Sequence, residues 1–310
     1  METVLVTGAN GFIAGHLCRH FAQAGFEVRG SLRGGPDGLR EGIHYRTSGE
    51  IDGDTDWRHL LAGVDVVIHT AAVHQPPRSH PDPFGVCRDV NVLGTERLAR
   101  QAAAEGVDRF IYTSSIAAQQ AEEAEAGDEM PRDLAYAASK LEAERRLADL
   151  SRSAGLGVVV LRLPAVYGPD SHGFGPLATL LRHGWPMPFA GAEARRSYIY
   201  VGNLISAVAL CVDAPAAIGR VLPVADGPAI STAVLVRHLA DALGRPARSF
   251  RCPRSLLLLA AHFAGRAVGV RRLLTDRWFD DTETRACLGW SPPYTMMEGL
   301  SATLAAPGSQ

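Results

Sequence analysis

Short, continuously apolar runs alternate with amphipathic stretches through the first half of the chain. Val4–Val6 is the first such run, and Gly15–Ala24 follows with helical spacing and stops at Gly25. Glu27–Leu32 and Asp65–His69 read as the next strands. Asn91–Ala104 reads as a helix and Arg109–Thr113 as a strand. Ser139–Ser151 reads as a helix with Glu and Arg on its outer face, and Val158–Leu163 as another buried strand. Strands apolar on both faces, separated by helices, predict a parallel sheet covered on both sides. Right-handed crossovers then make a doubly wound α/β fold the expected architecture.

Beyond Pro164 the pattern loosens. Pro and Gly punctuate Pro164–Pro188, predicting loops that line a site. Tyr198–Val201 and Arg220–Val224 read as strands, and Ser231–Leu243 as a helix begun by a Ser/Thr cap and stopped by Gly244. The greasiest run, Leu256–Ala261, is too short to span a bilayer and reads as a buried helix. The acidic, Ala-rich stretch Glu122–Glu129 reads as a solvated loop.

Composition narrows the function classes. The formal net charge of the 310 residues is −2, which gives no basic surplus to attract nucleic acid. Five cysteines are scattered without a CxxC pair, as in reduced, cytoplasmic proteins rather than disulfide or zinc frameworks. No basic n-region stands before Thr3-Val4-Leu5-Val6-Thr7, so neither a signal peptide nor a membrane partner is expected. Asp170 and His172 lack a third ligand at a suitable spacing, and no metal site is expected. No Gly-x-Ser-x-Gly elbow supports a hydrolase.

Two local patterns carry chemistry. Thr7-Gly8-Ala9-Asn10-Gly11-Phe12-Ile13-Ala14-Gly15 follows a strand and opens a helix, the setting of a dinucleotide-binding turn. Gly8 permits the tight turn, Gly11 lets the backbone approach pyrophosphate, and the helix start supplies amides and dipole. Tyr136 and Lys140 stand four apart, so on a helix they share a face. The ammonium would favour the ionised phenol, lowering its pKa and fitting it for proton exchange with an alcohol. The end of the second strand decides the cofactor. Leu32 and Arg33 stand where a carboxylate would hold a ribose hydroxyl, and Glu27 lies at the wrong end. Arg33 could pair a 2′-phosphate, which favours NADP(H) over NAD(H). His69, at the end of a buried strand, reads as a packed, satisfied histidine. His74 and His80 lie in a Pro-rich loop, with His74 a candidate pocket residue.

These pieces, with others in order along nearly the whole chain, resemble the extended short-chain dehydrogenase/reductase family, in its nucleotide-sugar epimerase, dehydratase and reductase branch. The matching segments include Thr7-Gly8-x-x-Gly11-Phe12-Ile13, Gly49-Glu50-Ile51 and His69-Thr70-Ala71-Ala72. Asn91-Val92-x-Gly94-Thr95, Thr113-Ser114-Ser115, Tyr136-x-x-x-Lys140 and Leu163-Pro164-Ala165-Val166-Tyr167-Gly168-Pro169 follow. Arg195-Arg196-Ser197-Tyr198-Ile199-Tyr200-Val201 and Leu288-Gly289-Trp290 complete the set. The subgroup most resembled holds UDP-glucose 4-epimerase-like proteins and reductases of UDP-linked 4-keto-6-deoxy sugars. The chain departs from the family's usual pattern at Gln119, Gln120 and Gly202, and in Ser171-His172-Gly173-Phe174-Gly175.

The resemblance implies a Rossmann-type domain over residues 1–165 and a smaller mixed substrate lobe over 166–310, with about 195–225 returning to the first domain. It implies Tyr136 as acid/base, Lys140 on the nicotinamide ribose, and Ser115 on the reacting oxygen. Gly8, Asn10, Gly11, Phe12, Ile13 and Arg33 would hold the dinucleotide, Glu50 and Ile51 would flank adenine, and Ala71 and Ala72 would let the cofactor pass. Asn91 would brace the active-site helix beside the cofactor, with Thr113, Pro164 and Val166 along the same ligand. Ser114, His74, Tyr167 and Arg196 would face the substrate, Arg196 reaching its phosphates. A homodimer is expected. The activity expected is hydride transfer at C4 of a nucleotide sugar, first as NADPH-dependent 4-keto reduction. A 4-epimerase with bound NAD, a reductase of a small non-sugar ketone, and a non-catalytic NADP(H) sensor are the alternatives.

Overall fold

The computed structural model describes residues 1–35, 42–74, 80–125, 134–171 and 173–305. In chain order the elements begin with β1 (Thr3–Thr7), α1 (Phe12–Gln23), β2 (Glu27–Leu32), β3 (His44–Thr47), α2 (Arg58–Leu61) and β4 (Val66–His69). Next come α3 (Pro83–Arg88), a π-helical turn at Asp89–Gly94, α4 (Thr95–Ala104), β5 (Arg109–Ser115), α5 (Ala117–Glu125), α6 (Ala135–Ala154) and β6 (Gly157–Leu163). The remainder holds β7 (Ala165–Tyr167), α7 (Gly175–Arg182), β8 (Arg195–Arg196), β9 (Tyr198–Tyr200), α8 (Val201–Asp213), β10 (Val221–Pro223) and β11 (Ile230–Ser231). It ends in α9 (Thr232–Ala242), α10 (Arg254–Phe263), α11 (Ala267–Leu273), α12 (Thr282–Leu288) and α13 (Met296–Ala305).

The described residues form two compact units. The first comprises Met1–Leu163, Ala207–Pro223 and Glu283–Trp290. Its seven strands lie in the order β10-β6-β5-β4-β1-β2-β3, all parallel. This is the doubly wound order, and it reverses direction between β1 and β4. The central strands are apolar on both faces because both are covered: every residue of β1 and β4 is buried. Leu5, Val67, Phe110, Tyr112 and Val158 pack there against Leu98, Ala102 and Leu147 from the helices.

The second unit comprises Pro164–Ser206, Val224–Thr282 and Ser291–Gln310. Two short pairs, β7 with β9 and β11 with β8, stand beside a helical core of Phe174, Phe189, Tyr198, Leu235, Leu239 and Leu300. Ser231 caps α9 by accepting from Val234 N, and Gly244 ends it at φ 63°.

Four readings from the sequence are corrected. Pro164–Pro188 is not all loop: it holds β7 and α7, and Pro176 sits in the first turn of α7, where its missing N–H costs nothing. Glu122–Glu125 continues helix α5, since Ala-rich sequence propagates a helix readily, and Ala126–Glu129 lie outside the described residues. The helix carrying the Tyr-Lys pair starts at Ala135 rather than Ser139, which brings Tyr136 into its first turn. Leu256–Ala261 is helical but not buried: Leu257 and Ala261 turn inward, while Leu256 and Leu259 are 56% and 54% exposed. Among the described residues no helix is long and apolar enough to cross a membrane.

Candidate active site

The carboxyl ends of β1, β2 and β4 open onto a cavity of about 600 Å³ in the first unit. Gly8, Asn10, Gly11, Phe12 and Ile13 form one wall. Gly8 has φ 69°, and a Cβ there would press to 3.3 Å on Ala71. Only glycine therefore suits both the turn and the approach of the next strand. Helix α1 begins at Phe12 with no side-chain cap and no acid in its first turn. Phe12, Ile13 and Ala14 of its first turn line the cavity, and a helix start is suited to an anion. Thr70, Ala71 and Ala72 line the side nearest β4.

The end of β2 supplies Ser31, Leu32 and Arg33, with Ser48 and Ile51 beside them. Ser31 Oγ is buried without a hydrogen-bond partner among the described residues. A buried hydroxyl in a cavity wall with no partner is suited to a polar ligand. Arg33 is 3.6 Å from the Glu50 carboxylate, and both side chains are largely exposed. Glu50 thus meets Arg33 rather than the cavity wall. The residues present fit a dinucleotide: a glycine turn at a helix start, small residues opposite, and polar groups at the far end.

Thr113, Ser114 and Ser115 end β5, the strand beside β4. Adjacent strand residues point to opposite faces. Ser114 turns inward and donates to Glu144 Oε1, which also receives Arg162. Expected as a substrate contact, Ser114 is instead 3% exposed and committed to that network. Ser115 faces the other way. Its Oγ accepts from Ala117 N at 3.1 Å and pairs with the Tyr136 phenol. His74 packs edge-on against the Tyr136 ring, with centroids 4.4 Å apart.

Lys140 is fully buried one turn along α6. Its Nζ donates to Thr113 O at 2.9 Å and lies 4.5 Å over the Tyr112 ring centroid. The Tyr136 ring centroid is 5.9 Å away. Burial pulls Lys140 down to about 7, and Glu144 partly offsets that. Burial pushes Tyr136 up to about 12, with the Ser115 hydrogen bond acting in the opposite sense. The sequence reading expected a phenol lowered by the lysine. Desolvation of the phenol outweighs that effect, and the ammonium is turned to Thr113 O and the Tyr112 ring.

Asn91 sits in the π-helical turn. Its Oδ1 accepts from Val73 N at 2.8 Å, and its Nδ2 donates to Val73 O and Ser139 Oγ, both at 2.9 Å. Ser139 in turn donates to Tyr136 O. Asn91 therefore ties the loop after β4 to the helix turn between Tyr136 and Lys140. Widened turns of this kind often serve functional sites.

A buried relay that the sequence did not suggest lies behind the cavity. Thr7 Oγ1 accepts from Thr70 N and Ala71 N, so its proton goes to His69 Nδ1 at 2.7 Å. His69 Nε2–H is then left to donate to Thr95 Oγ1 at 2.8 Å. The histidine is satisfied on both nitrogens, as read from the sequence, and burial pulls its pKa to about 3. The only signal in the chain was its place at a buried strand end. Ser31, Ser48 and Thr70 also escaped the sequence reading, since nothing in their type marks a cavity.

In the second unit Pro164 precedes β7, and Val166 pairs in register with Ile199. Tyr167, expected at the substrate, is 1% exposed and donates its phenol to Asp226 at 2.6 Å. Asp226 also receives Tyr200 N and Asn203 Nδ2, so the tyrosine is a packed member of a polar knot. Arg196 donates Nη1 to the carbonyls of Arg272 and Thr275. At Gly202, where the resemblance led to an acid, a Cβ would fall 2.6 Å from the Tyr200 ring. Of the metal pair considered, His172 lies outside the described residues.

The model of the NAD dependent epimerase/dehydratase family matches residues 4–225. A UDP-glucose 4-epimerase from Vibrio cholerae is 33% identical over 98% of this chain and 95% of its own. A 2-alkyl-3-oxoalkanoate reductase from Stenotrophomonas maltophilia is 28% identical over 96% of this chain and 97% of its own. Among solved structures, MoeE5 in complex with UDP-glucuronic acid and NAD superposes with a TM-score of 0.69 at 25% identity, covering 98% of each chain. The chain belongs to the NAD dependent epimerase/dehydratase family, within the extended short-chain dehydrogenases/reductases, and is an enzyme of that class.

Proposed function

We propose that this enzyme transfers hydride at C4 of a nucleotide sugar, and that it works as an NADPH-dependent reductase of the 4-keto form. The observation carrying the cofactor choice is Arg33 at the cavity edge, with Leu32 in place of an acid at the end of β2. A guanidinium there suits a 2′-phosphate. The nucleotide-sugar class is supported by the Vibrio cholerae relative and by MoeE5 with its UDP-linked ligand.

The geometry supports a role for each residue. The bound cofactor supplies or accepts a hydride, which no side chain can do. Gly8, Gly11 and the start of α1 would cradle its pyrophosphate, and Ile51 would flank its adenosine half. Ser115 and Tyr136, hydrogen-bonded to each other, hold the carbonyl oxygen. Tyr136 then delivers its proton as negative charge grows on that oxygen. Lys140, 5.9 Å from the Tyr136 ring centroid, would hold the ribose. Asn91 positions the helix turn between them. His74, packed on Tyr136, borders the substrate. Arg196 serves the substrate phosphates through the N–H groups its carbonyl partners leave. Five free cysteines are consistent with a cytoplasmic enzyme, and a homodimer completes the proposal.

A second reading, a 4-epimerase with tightly held NAD, has the name of the Vibrio cholerae relative in its favour. The Stenotrophomonas maltophilia relative favours a small-ketone substrate instead. Thermal melting separates them. Stabilisation by UDP, dTDP or GDP supports a nucleotide-linked substrate, and no shift with any of them removes it. Protein that purifies with stoichiometric NAD and interconverts UDP-hexoses without added cofactor overturns the reductase in favour of the epimerase.

A further inference from the structure

Helix α10 presents an apolar strip to solvent. Leu256, Leu259 and Phe263, at i, i+3 and i+7, share one side of it and are 56%, 54% and 82% exposed. Leu257 and Ala261, on the opposite side, dock the helix onto the second unit. Val268, in the following helix α11, is 51% exposed. An aqueous protein seldom leaves so many large apolar side chains together in water without a use.

The charge around that strip is one-sided. Between Asp241 and Asp276 there is no acidic residue, but there are seven arginines in a chain of net charge −2. They are Arg245, Arg248, Arg251 and Arg254 before the strip and Arg266, Arg271 and Arg272 after it, all exposed. Apolar side chains flanked by cations are the make-up of a segment that lies in a membrane interface. The aliphatic stems of arginine can follow the apolar face while the guanidinium groups stay at lipid phosphates.

We infer that α10–α11 is a membrane-surface contact, in which Leu256, Leu259 and Phe263 enter the headgroup boundary of an anionic bilayer and the seven arginines pair with its phosphates. The charge chooses this occupant over a second copy of the chain, whose net charge of −2 offers little attraction. The apolar strip chooses it over nucleic acid, which would use the arginines and leave Phe263 in water. The inference is independent of the reductase assignment.

The test is co-sedimentation of the full-length protein with phosphatidylcholine vesicles, with and without about one-quarter phosphatidylglycerol. The protein should pellet with the anionic vesicles and stay in solution with the neutral ones. Leu259→Ser with Phe263→Ser should weaken binding about tenfold or more, while melting temperature and NADPH affinity stay unchanged. Arg266→Gln with Arg271→Gln should weaken it about fivefold per charge removed. No binding to anionic vesicles overturns the inference, as does binding that the Leu259/Phe263 variant retains in full. A Leu259/Phe263 variant that instead changes the oligomeric mass, with no vesicle binding by either protein, assigns the strip to a second copy.

Discussion

Lys140 stands over Tyr112, not beside the phenol it was expected to tune: Nζ is 4.5 Å from the Tyr112 ring centroid and 5.9 Å from that of Tyr136. Burial holds its folded pKa at about 7, against an unfolded value of 10.5. A depressed folded value means that the unfolded chain binds the proton more tightly. The associated stability is present above 10.5 and is lost as pH falls toward 7. Lys140→Met should remove that loss. In urea unfolding of cofactor-free protein, the variant's stability relative to wild type should rise between about pH 10 and pH 7, by on the order of 3 kcal/mol, and level off below. A gap that does not change with pH contradicts the buried, shifted ammonium.

Tyr136→Phe keeps the ring packed against His74 and deletes only the phenol. Turnover should fall about 10²-fold or more, with NADPH affinity nearly unchanged. In cofactor-free protein, a difference ultraviolet titration of wild type against the variant should place the missing phenol well above 10, because burial raises it to about 12. A variant with near-normal turnover rules out Tyr136 as the proton donor.

Arg33 and Glu50 form an exposed pair at the cavity edge. Arg33→Ser should weaken NADPH about tenfold or more and leave NADH within about threefold, since only the former carries the 2′-phosphate. Glu50→Gln should release the guanidinium and tighten NADPH by up to about fivefold, the size of an exposed ion pair. Isothermal titration of both cofactors checks this, and equal loss of both in Arg33→Ser would show that the residue reads no phosphate.

The sheet and phosphate turn were legible because their signals are local. Val4–Val6 and Val66–Ile68 are apolar on both faces, and Gly8 answers a turn that needs positive φ. The roles of Ser114, Tyr167 and Lys140 were less legible, because each depends on a partner far along the chain. Ser114 faces Glu144 through strand alternation, and Tyr167 meets Asp226 across 59 residues. Lys140 and Tyr136 were rightly placed on one helix. Helical spacing, however, says nothing about Tyr112 arriving from β5 to receive the ammonium. The exposed leucines of α10 were misread because a run of six apolar residues looks the same whether one side or all sides are buried.

His69 offers a test of the relay behind the cavity. Its folded pKa of about 3 lies below the ordinary 6.5, so its contribution to stability is present above 6.5 and lost as pH falls toward 3. His69→Gln should unfold less steeply than wild type across that window, while being less stable at neutral pH by about 1–3 kcal/mol through the disrupted Thr7 and Thr95 bonds. Its kcat should show the same pH dependence as wild type near neutrality. A wild-type kcat profile that loses a titration when His69 is replaced would instead make it an acid/base.

The central claim, net reduction at C4, is tested most directly by following the hydride itself. The enzyme is given a UDP-linked 4-keto-6-deoxy sugar and NADPH deuterated at the transferred position, and the product is read by mass spectrometry and NMR. One deuterium at C4 for each NADPH oxidised is the predicted result. UDP-hexose interconversion without added cofactor, together with no deuterium at C4 of any product, would contradict it.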